Sequence, residues 1–176
     1  MTGRSLQRLV HSGLVRPYKG GREQAPRQLG LALRDLSSAR RLLAEDRDWA
    51  FAIAYNAVLQ AGRALMLREG YRPTTGEGGH VAVIRFCEEF FGPRYQEEME
   101  LFDRMRVRRN RVVYDVSGSI SRLEADEAFT FAEDFVARVQ ELVGRPVQTR
   151  APEPPPEPRG PEASPAPEPP PAAPEA

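Results

Sequence analysis

The sequence has few of the residues that build metal centres and disulfide frameworks. It contains one cysteine, Cys87, and two histidines, His11 and His80. A single cysteine cannot form an internal disulfide, and so small a set excludes a multi-cysteine zinc site and a histidine-rich metal centre. We therefore predict that the protein uses no metal and no cofactor.

Long apolar runs are also missing. No hydrophobic stretch approaches the roughly 20 residues that a membrane-spanning helix needs. The N-terminal residues, MTGRSLQRLVHSG, lack the apolar core of a secretory signal. These absences predict a cytoplasmic protein with no membrane association. The formal net charge is zero, so overall charge gives no argument for a nucleic-acid partner.

Larger apolar side chains are nearly absent from the C-terminal part of the chain. Of the 17 prolines, 13 lie at or after Pro146, and Val147 is the one apolar residue there that is larger than Ala or Pro. Such a segment cannot bury enough surface to offset the entropic cost of ordering. We therefore predict that residues 146–176 form a disordered Pro/Glu/Ala-rich tail.

The rest of the chain contains apolar residues at helical spacing. Between residues 25 and 145 they recur at intervals of three and four, as in amphipathic helices. The pattern predicts four long helices and one short helix, over residues 28–44, 48–69, 80–91, 95–113 and 121–143. Trp49 and Tyr55 are assigned to the core. We expect an all-α antiparallel bundle, preceded by an amphipathic segment and linker over residues 1–24.

The arginines of the segment LFDRMRVRRNRVVYD, residues 101–115, fall into two groups on a helical wheel. Arg104, Arg108 and Arg111 share one side. They form either a solvated face that pairs with nearby acids or a stripe that binds RNA phosphates without sequence selectivity. Arg109 lies instead among the apolar positions, so the two groups need different explanations.

Arg109 must find a partner, because an unpaired charge on an apolar face is costly. One alternative is a structural ion pair. The other is a site that presents the planar guanidinium to a phosphate, whose oxygens match its forked donors. Asn110 and Tyr114 are four residues apart, so they share one side of the helix and would both reach such a site.

The segment Arg109-Asn110-x-x-x-Tyr114 resembles the signature of the HEPN superfamily, in which an arginine, usually a polar residue and a short spacer precede a histidine. The resemblance covers residues 27–143. The helix over residues 49–70, with Tyr55, Asn56 and an Ala-rich run, carries it further, and so does the Gly79-His80 pair that opens the third helix. It implies a helical bundle with the motif near the end of the fourth bundle helix.

The resemblance also implies a function. HEPN proteins form homodimers whose two motifs meet at the interface. Active members are metal-independent ribonucleases, and others bind RNA or nucleotides without cleaving them. Many belong to toxin–antitoxin or defence modules, some beside a small MNT-type nucleotidyltransferase.

This sequence departs from the signature because Tyr114 stands where the family has histidine. A phenol titrates near pH 10, against about 6.5 for imidazole, so it exchanges protons poorly at neutral pH. His80 opens another helix, where it either packs or hydrogen-bonds locally or supplies the missing imidazole to the site. We therefore predict binding of RNA or nucleotide phosphate at Arg109, Asn110 and Tyr114 with weak or no catalysis.

Two alternatives stay open. The first is a metal-independent endoribonuclease, in which Tyr114 or His80 assists. The second is a non-catalytic interaction module that partners an MNT-type nucleotidyltransferase.

Overall fold

The computed structural model describes residues 3–74, 79–114 and 118–144. These residues belong to one compact unit. The predicted disordered tail lies outside the described residues.

The described residues form six α-helices in an antiparallel bundle, as predicted for an all-α fold. In chain order the helices are α1 (Gly3–His11), α2 (Gly21–Leu42), α3 (Arg47–Arg68), α4 (Gly79–Phe91), α5 (Gln96–Tyr114) and α6 (Arg122–Gly144). A single 3₁₀ turn, Pro93–Tyr95, precedes α5. The four long helices and the shorter α4 correspond to the five predicted bundle helices.

The N-terminal part differs from the predicted linker. Residues Val15–Pro17 form strand β1, which pairs antiparallel with strand β2, Tyr71–Pro73. Helix α2 begins at Gly21 rather than at Gln28. Strands of three residues are too short to display a period of two, so sequence patterning missed them.

Helix α1 and strand β1 both contribute to the core. Leu6, Leu9 and Val15 are buried in the hydrophobic cluster that the bundle helices share. The N-terminal segment is therefore packed on the bundle, and its amphipathic pattern reflects this burial.

Helix α3 lies at the centre of the bundle and contacts α2, α4, α5 and α6. Among the described helices it alone is long and apolar enough to cross a membrane, but 72% of its apolar window is buried inside the bundle. Gly62 lets α4 approach closely, since a Cβ there would lie 2.5 Å from Val83 Cγ1 and 3.2 Å from Cys87 Sγ.

The prediction that Trp49 belongs to the core is wrong, because its side chain is 56% exposed. Trp49 lies seven residues before Asn56, so both occupy the polar side of α3 rather than the side of Phe51 and Tyr55. Its backbone N–H donates to the Asp46 carboxylate, which caps the helix at 3.0 Å.

Candidate phosphate-binding site

A histidine and a tyrosine meet where α3, α4 and α5 come together. The Tyr55 hydroxyl of α3 is 2.9 Å from His80 Nδ1 at the start of α4. The Tyr55 ring also packs on Phe102 of α5, with ring centroids 5.9 Å apart. Tyr55 is buried and His80 is half-buried. The pair is thus held by three helices, with the imidazole at its more accessible end.

Burial and positive charge act on the two groups. Burial raises the pKa of Tyr55 to about 12, and the charges of Arg106, Arg109 and Arg63 oppose that rise. Burial lowers the pKa of His80, and the same three arginines lower it further. The phenol therefore stays protonated and the imidazole is held neutral at neutral pH.

The charges of three arginines act on this pair. Arg63 comes from α3, and Arg106 and Arg109 come from α5 one turn apart. All three are half-buried. We refer to these three arginines with Tyr55 and His80 as the Arg–His–Tyr cluster.

The three arginines differ in the hydrogen bonds that their guanidinium groups donate within the protein. Arg106 Nε donates to the Asp103 carboxylate at 2.7 Å, and Arg63 Nη1 donates weakly to Gln60 Oε1 at 3.4 Å. Among the described residues, the Arg109 guanidinium makes no hydrogen bond or ion pair. No intrahelical or core-facing acid in the described part of the chain supplies the structural ion pair considered for Arg109.

Two imidazole tautomers fit the contact between Tyr55 and His80. When the phenol donates to Nδ1, the imidazole proton lies on Nε2, which then is a hydrogen-bond donor. When Nδ1 carries the proton and donates to the phenol oxygen, Nε2 has a free lone pair and can accept a proton. The cluster can therefore attract an anion and exchange a proton with a bound group.

The other predicted site residues lie in different surroundings. Asn110 follows Arg109 directly and is exposed near the end of α5. The side chains of Arg111 and Tyr114 lie outside the described residues. Among the predicted site residues, His80 and Arg109 are related in the structure, because the charge of Arg109 lowers the pKa of His80.

The outer side of α5 is paired with protein groups. Arg108 Nε donates to Glu124 Oε1 at 3.2 Å, and its Nη2 donates to the Ser119 carbonyl at 2.6 Å. Arg104 lines a surface cavity with several glutamates: Glu97, Glu98, Glu100 and Glu127. These surroundings favour the solvated-face alternative for Arg104 and Arg108.

Sequence patterning did not single out Arg63 and Arg106. Arg106 lies three residues before Arg109, so its position on the same face was a usable signal. Arg63 gave no such signal, because its proximity to the α5 arginines depends on how α3 packs on α5. A buried carboxylate was missed too: Asp35 of α2 accepts a hydrogen bond from Asn56 Nδ2 at 2.6 Å, beside α3.

Within the described ranges, no cluster of three or more His, Cys, Asp or Glu side chains is placed to hold a metal ion. Cys87 is buried against α3, and burial raises the pKa of its thiol.

The fold and the cluster together define a class: an all-α bundle protein with an electropositive site built around a neutral histidine. The HEPN domain family model matches residues 27–142, and the chain belongs to that family. This match confirms the resemblance seen in the sequence. Family membership indicates an RNA-related or nucleotide-binding function. No curated protein matches the chain.

Proposed function

We propose that this protein binds RNA or nucleotide phosphate at the Arg–His–Tyr cluster, as a HEPN-domain protein of toxin–antitoxin or defence type. The observation that carries the proposal is the state of Arg109. Its charge acts on both His80 and Tyr55, yet its donors have no acceptor among the described residues. A phosphate would supply the missing acceptor.

The energetics of the cluster support an anionic ligand. Burial lowers the pKa of Arg63, which means that the surroundings disfavour its positive charge. Asp103 is the one carboxylate whose charge acts on Tyr55 against the three arginines. A phosphate between these groups would compensate their desolvation, with Arg109 as the main contact, Asn110 orienting it and Tyr114 lining the site.

A second candidate is metal-independent endoribonuclease activity, which the contact between His80 and Tyr55 favours. In this reaction the ribose 2′-hydroxyl attacks the adjacent phosphorus, and the bond to the 5′-oxygen of the next nucleotide breaks. His80 Nε2 would take the 2′-hydroxyl proton, and the departing 5′-oxygen would take a proton from the imidazolium or water. His80 would then replace the imidazole that position 114 lacks.

The binding experiment compares two arginines on the same helix. A fluorescein-labelled 20-nucleotide RNA is titrated with wild type, Arg109→Ala and Arg104→Ala in EDTA, and fluorescence anisotropy is recorded. Loss of one charge-assisted contact predicts at least tenfold weaker binding for Arg109→Ala. Arg104→Ala should stay within about twofold of wild type. Equal weakening of the two variants would refute the site assignment.

The same RNA separates the two candidates when products are resolved on a denaturing gel. EDTA-resistant cleavage that His80→Gln abolishes, with RNA affinity retained, would support the ribonuclease. Retained binding with intact RNA would support binding without cleavage. Absence of both binding and cleavage would refute the RNA proposal and favour the interaction module.

We also propose a homodimer, and the interaction-module alternative adds an MNT-type nucleotidyltransferase as partner; both come from the family resemblance. Light scattering on the full chain tests the first, with a mass of twice the 19.7 kDa chain expected. A monomer at micromolar concentration would contradict it. Co-purification with a neighbouring nucleotidyltransferase gene product tests the second.

A further inference from the structure

The outer face of the two-stranded sheet is basic. Arg16 of β1 lies directly opposite Arg72 of β2. Side chains alternate along a strand, so Val15 and Tyr71 occupy the other face, where Val15 is buried and Tyr71 packs on Phe86 at 5.9 Å. One face of the sheet therefore joins the core, and the other carries the Arg16–Arg72 pair.

The Arg16–Arg72 pair is unfavourable on its own. Like charges directly opposite each other in an antiparallel sheet are destabilising. Both Nε atoms are buried, and neither has a hydrogen-bond partner in the described part of the chain. A buried N–H donor without an acceptor is destabilising. The fold thus places two arginines opposite each other and leaves the Nε donor of each without an acceptor in the described part of the chain.

The Arg72 side chain is held against an aromatic ring. The Arg72 guanidinium lies 4.3 Å from the centre of the Tyr18 ring, on which it stacks. Backbone bonds extend the sheet at both ends, from the Tyr18 N–H to the Gly70 carbonyl at 2.7 Å and from the Thr74 N–H to the Leu14 carbonyl at 3.1 Å. The Arg72 guanidinium therefore has an aromatic neighbour, and the paired strands keep Arg16 and Arg72 opposite each other.

Neighbouring acids leave the pair uncompensated. Glu69 is the nearest acid along the chain to Arg72, and it pairs with Arg68, whose own Nε is buried without a partner. Glu23 is exposed on α2. Within the described residues, no carboxylate forms an ion pair with Arg16 or Arg72.

We propose that Arg16 and Arg72 form a second phosphate-binding site, separate from the Arg–His–Tyr cluster. Phosphate oxygens would accept from both guanidinium groups, which relieves the repulsion and satisfies the fork geometry. The phosphate comes either from an RNA backbone or from a free nucleotide. The site does not depend on the function proposed for the Arg–His–Tyr cluster.

The test uses ligand-induced stabilisation in a protein whose first site is weakened. Pyrophosphate that binds the native state raises the unfolding temperature of Arg109→Ala, measured against sodium chloride at equal ionic strength. Adding Arg16→Gln and Arg72→Gln should weaken the apparent pyrophosphate affinity at least tenfold. The control adds Lys19→Gln, an exposed cation beside the sheet, and should change the affinity less than twofold.

Glutamine keeps the first two methylene groups of the arginine stem, and far-ultraviolet circular dichroism checks that the variants fold. Arg16→Gln alone is the second variant, with at least threefold weaker affinity expected. Equal stabilisation of all variants by pyrophosphate, or stabilisation of none, would overturn the proposal.

Two further ligands identify the source of the phosphate. Uridine 5′-monophosphate presents a terminal phosphate, whereas a 12-nucleotide oligouridine with hydroxyl ends presents backbone phosphates alone. Sensitivity of either ligand to the two glutamine substitutions supports the site and names its source. Insensitivity of both would overturn it.

Discussion

The two sides of α5 carry arginines of opposite character. On the outer side, Arg108 is bound by Glu124 and Ser119, and Arg104 lies among glutamates. On the inner side, Arg109 lacks an acceptor among the described residues and acts on His80 and Tyr55. One helix thus uses the same side chain to stabilise the fold on one side and to build an electropositive site on the other.

The number of arginines on a helix therefore does not locate a binding site. A run of arginines is neutralised where the fold supplies acids, and it attracts anions where the fold supplies few. The inner side has one such acid, Asp103, against three arginines that act on Tyr55.

The largest effect is expected from the buried phenol of the inner side. The unfolded chain releases the Tyr55 proton near pH 10, whereas the folded protein retains it to about pH 12. The free energy of unfolding should therefore fall by about 3 kcal/mol between pH 10 and 12. Urea unfolding of wild type and Tyr55→Phe at several pH values measures this. Parallel pH profiles for the two proteins would contradict it.

The close approach of α3 and α4, which brings His80 to Tyr55, is tested at Gly62. Gly62→Ala places a methyl group against the stiff side chain of Val83 and should cost about 2 kcal/mol. The matched control is Gly30→Ala in α2, where nothing lies within 4 Å and the better helix propensity should stabilise by about 0.5 kcal/mol. Equal effects in urea unfolding would show that the contact is not tight.

The two sides of α5 are compared directly by Arg108→Ala and Arg109→Ala. Arg108→Ala removes the contacts to Glu124 and Ser119 and should lower the free energy of unfolding by about 1 kcal/mol. Arg109→Ala should leave it unchanged or raise it, because a half-buried cation without an acceptor is lost. Thermal unfolding at low salt measures both. A larger loss for Arg109→Ala would assign it a structural role.

The smallest effect is expected from His80 in mild acid. Its pKa is lowered in the folded protein, so below pH 6.5 the unfolded chain binds the proton more readily. The free energy of unfolding therefore decreases as the pH decreases. The change is small because His80 is half-buried. His80→Gln should show a shallower loss of unfolding temperature between pH 7 and 5. A steeper loss in the variant would reverse the assigned sign.

Patterning predicted the bundle because its helices are long and amphipathic. Ser121 and Glu124 form a capping box, with reciprocal hydrogen bonds at the start of α6. The family motif then located Arg109. It did not indicate Arg63 or the contact between His80 and Tyr55, since these depend on the packing of α3 against α4 and α5. The β1–β2 pair escaped notice because strands of three residues leave no periodic signal.

The proposed function requires that the inner arginines Arg63, Arg106 and Arg109 contact phosphate and that the outer arginines Arg104 and Arg108 do not. The most direct measurement is the salt dependence of affinity for single-stranded RNA. Replacement of Arg63, Arg106 and Arg109 by glutamine should reduce the slope of log affinity against log salt by about 2, at roughly 0.7 for each lost contact. Replacement of Arg104 and Arg108 should leave the slope unchanged. A slope that decreases when the outer pair is replaced, and stays unchanged when the inner three are replaced, would contradict the proposed site.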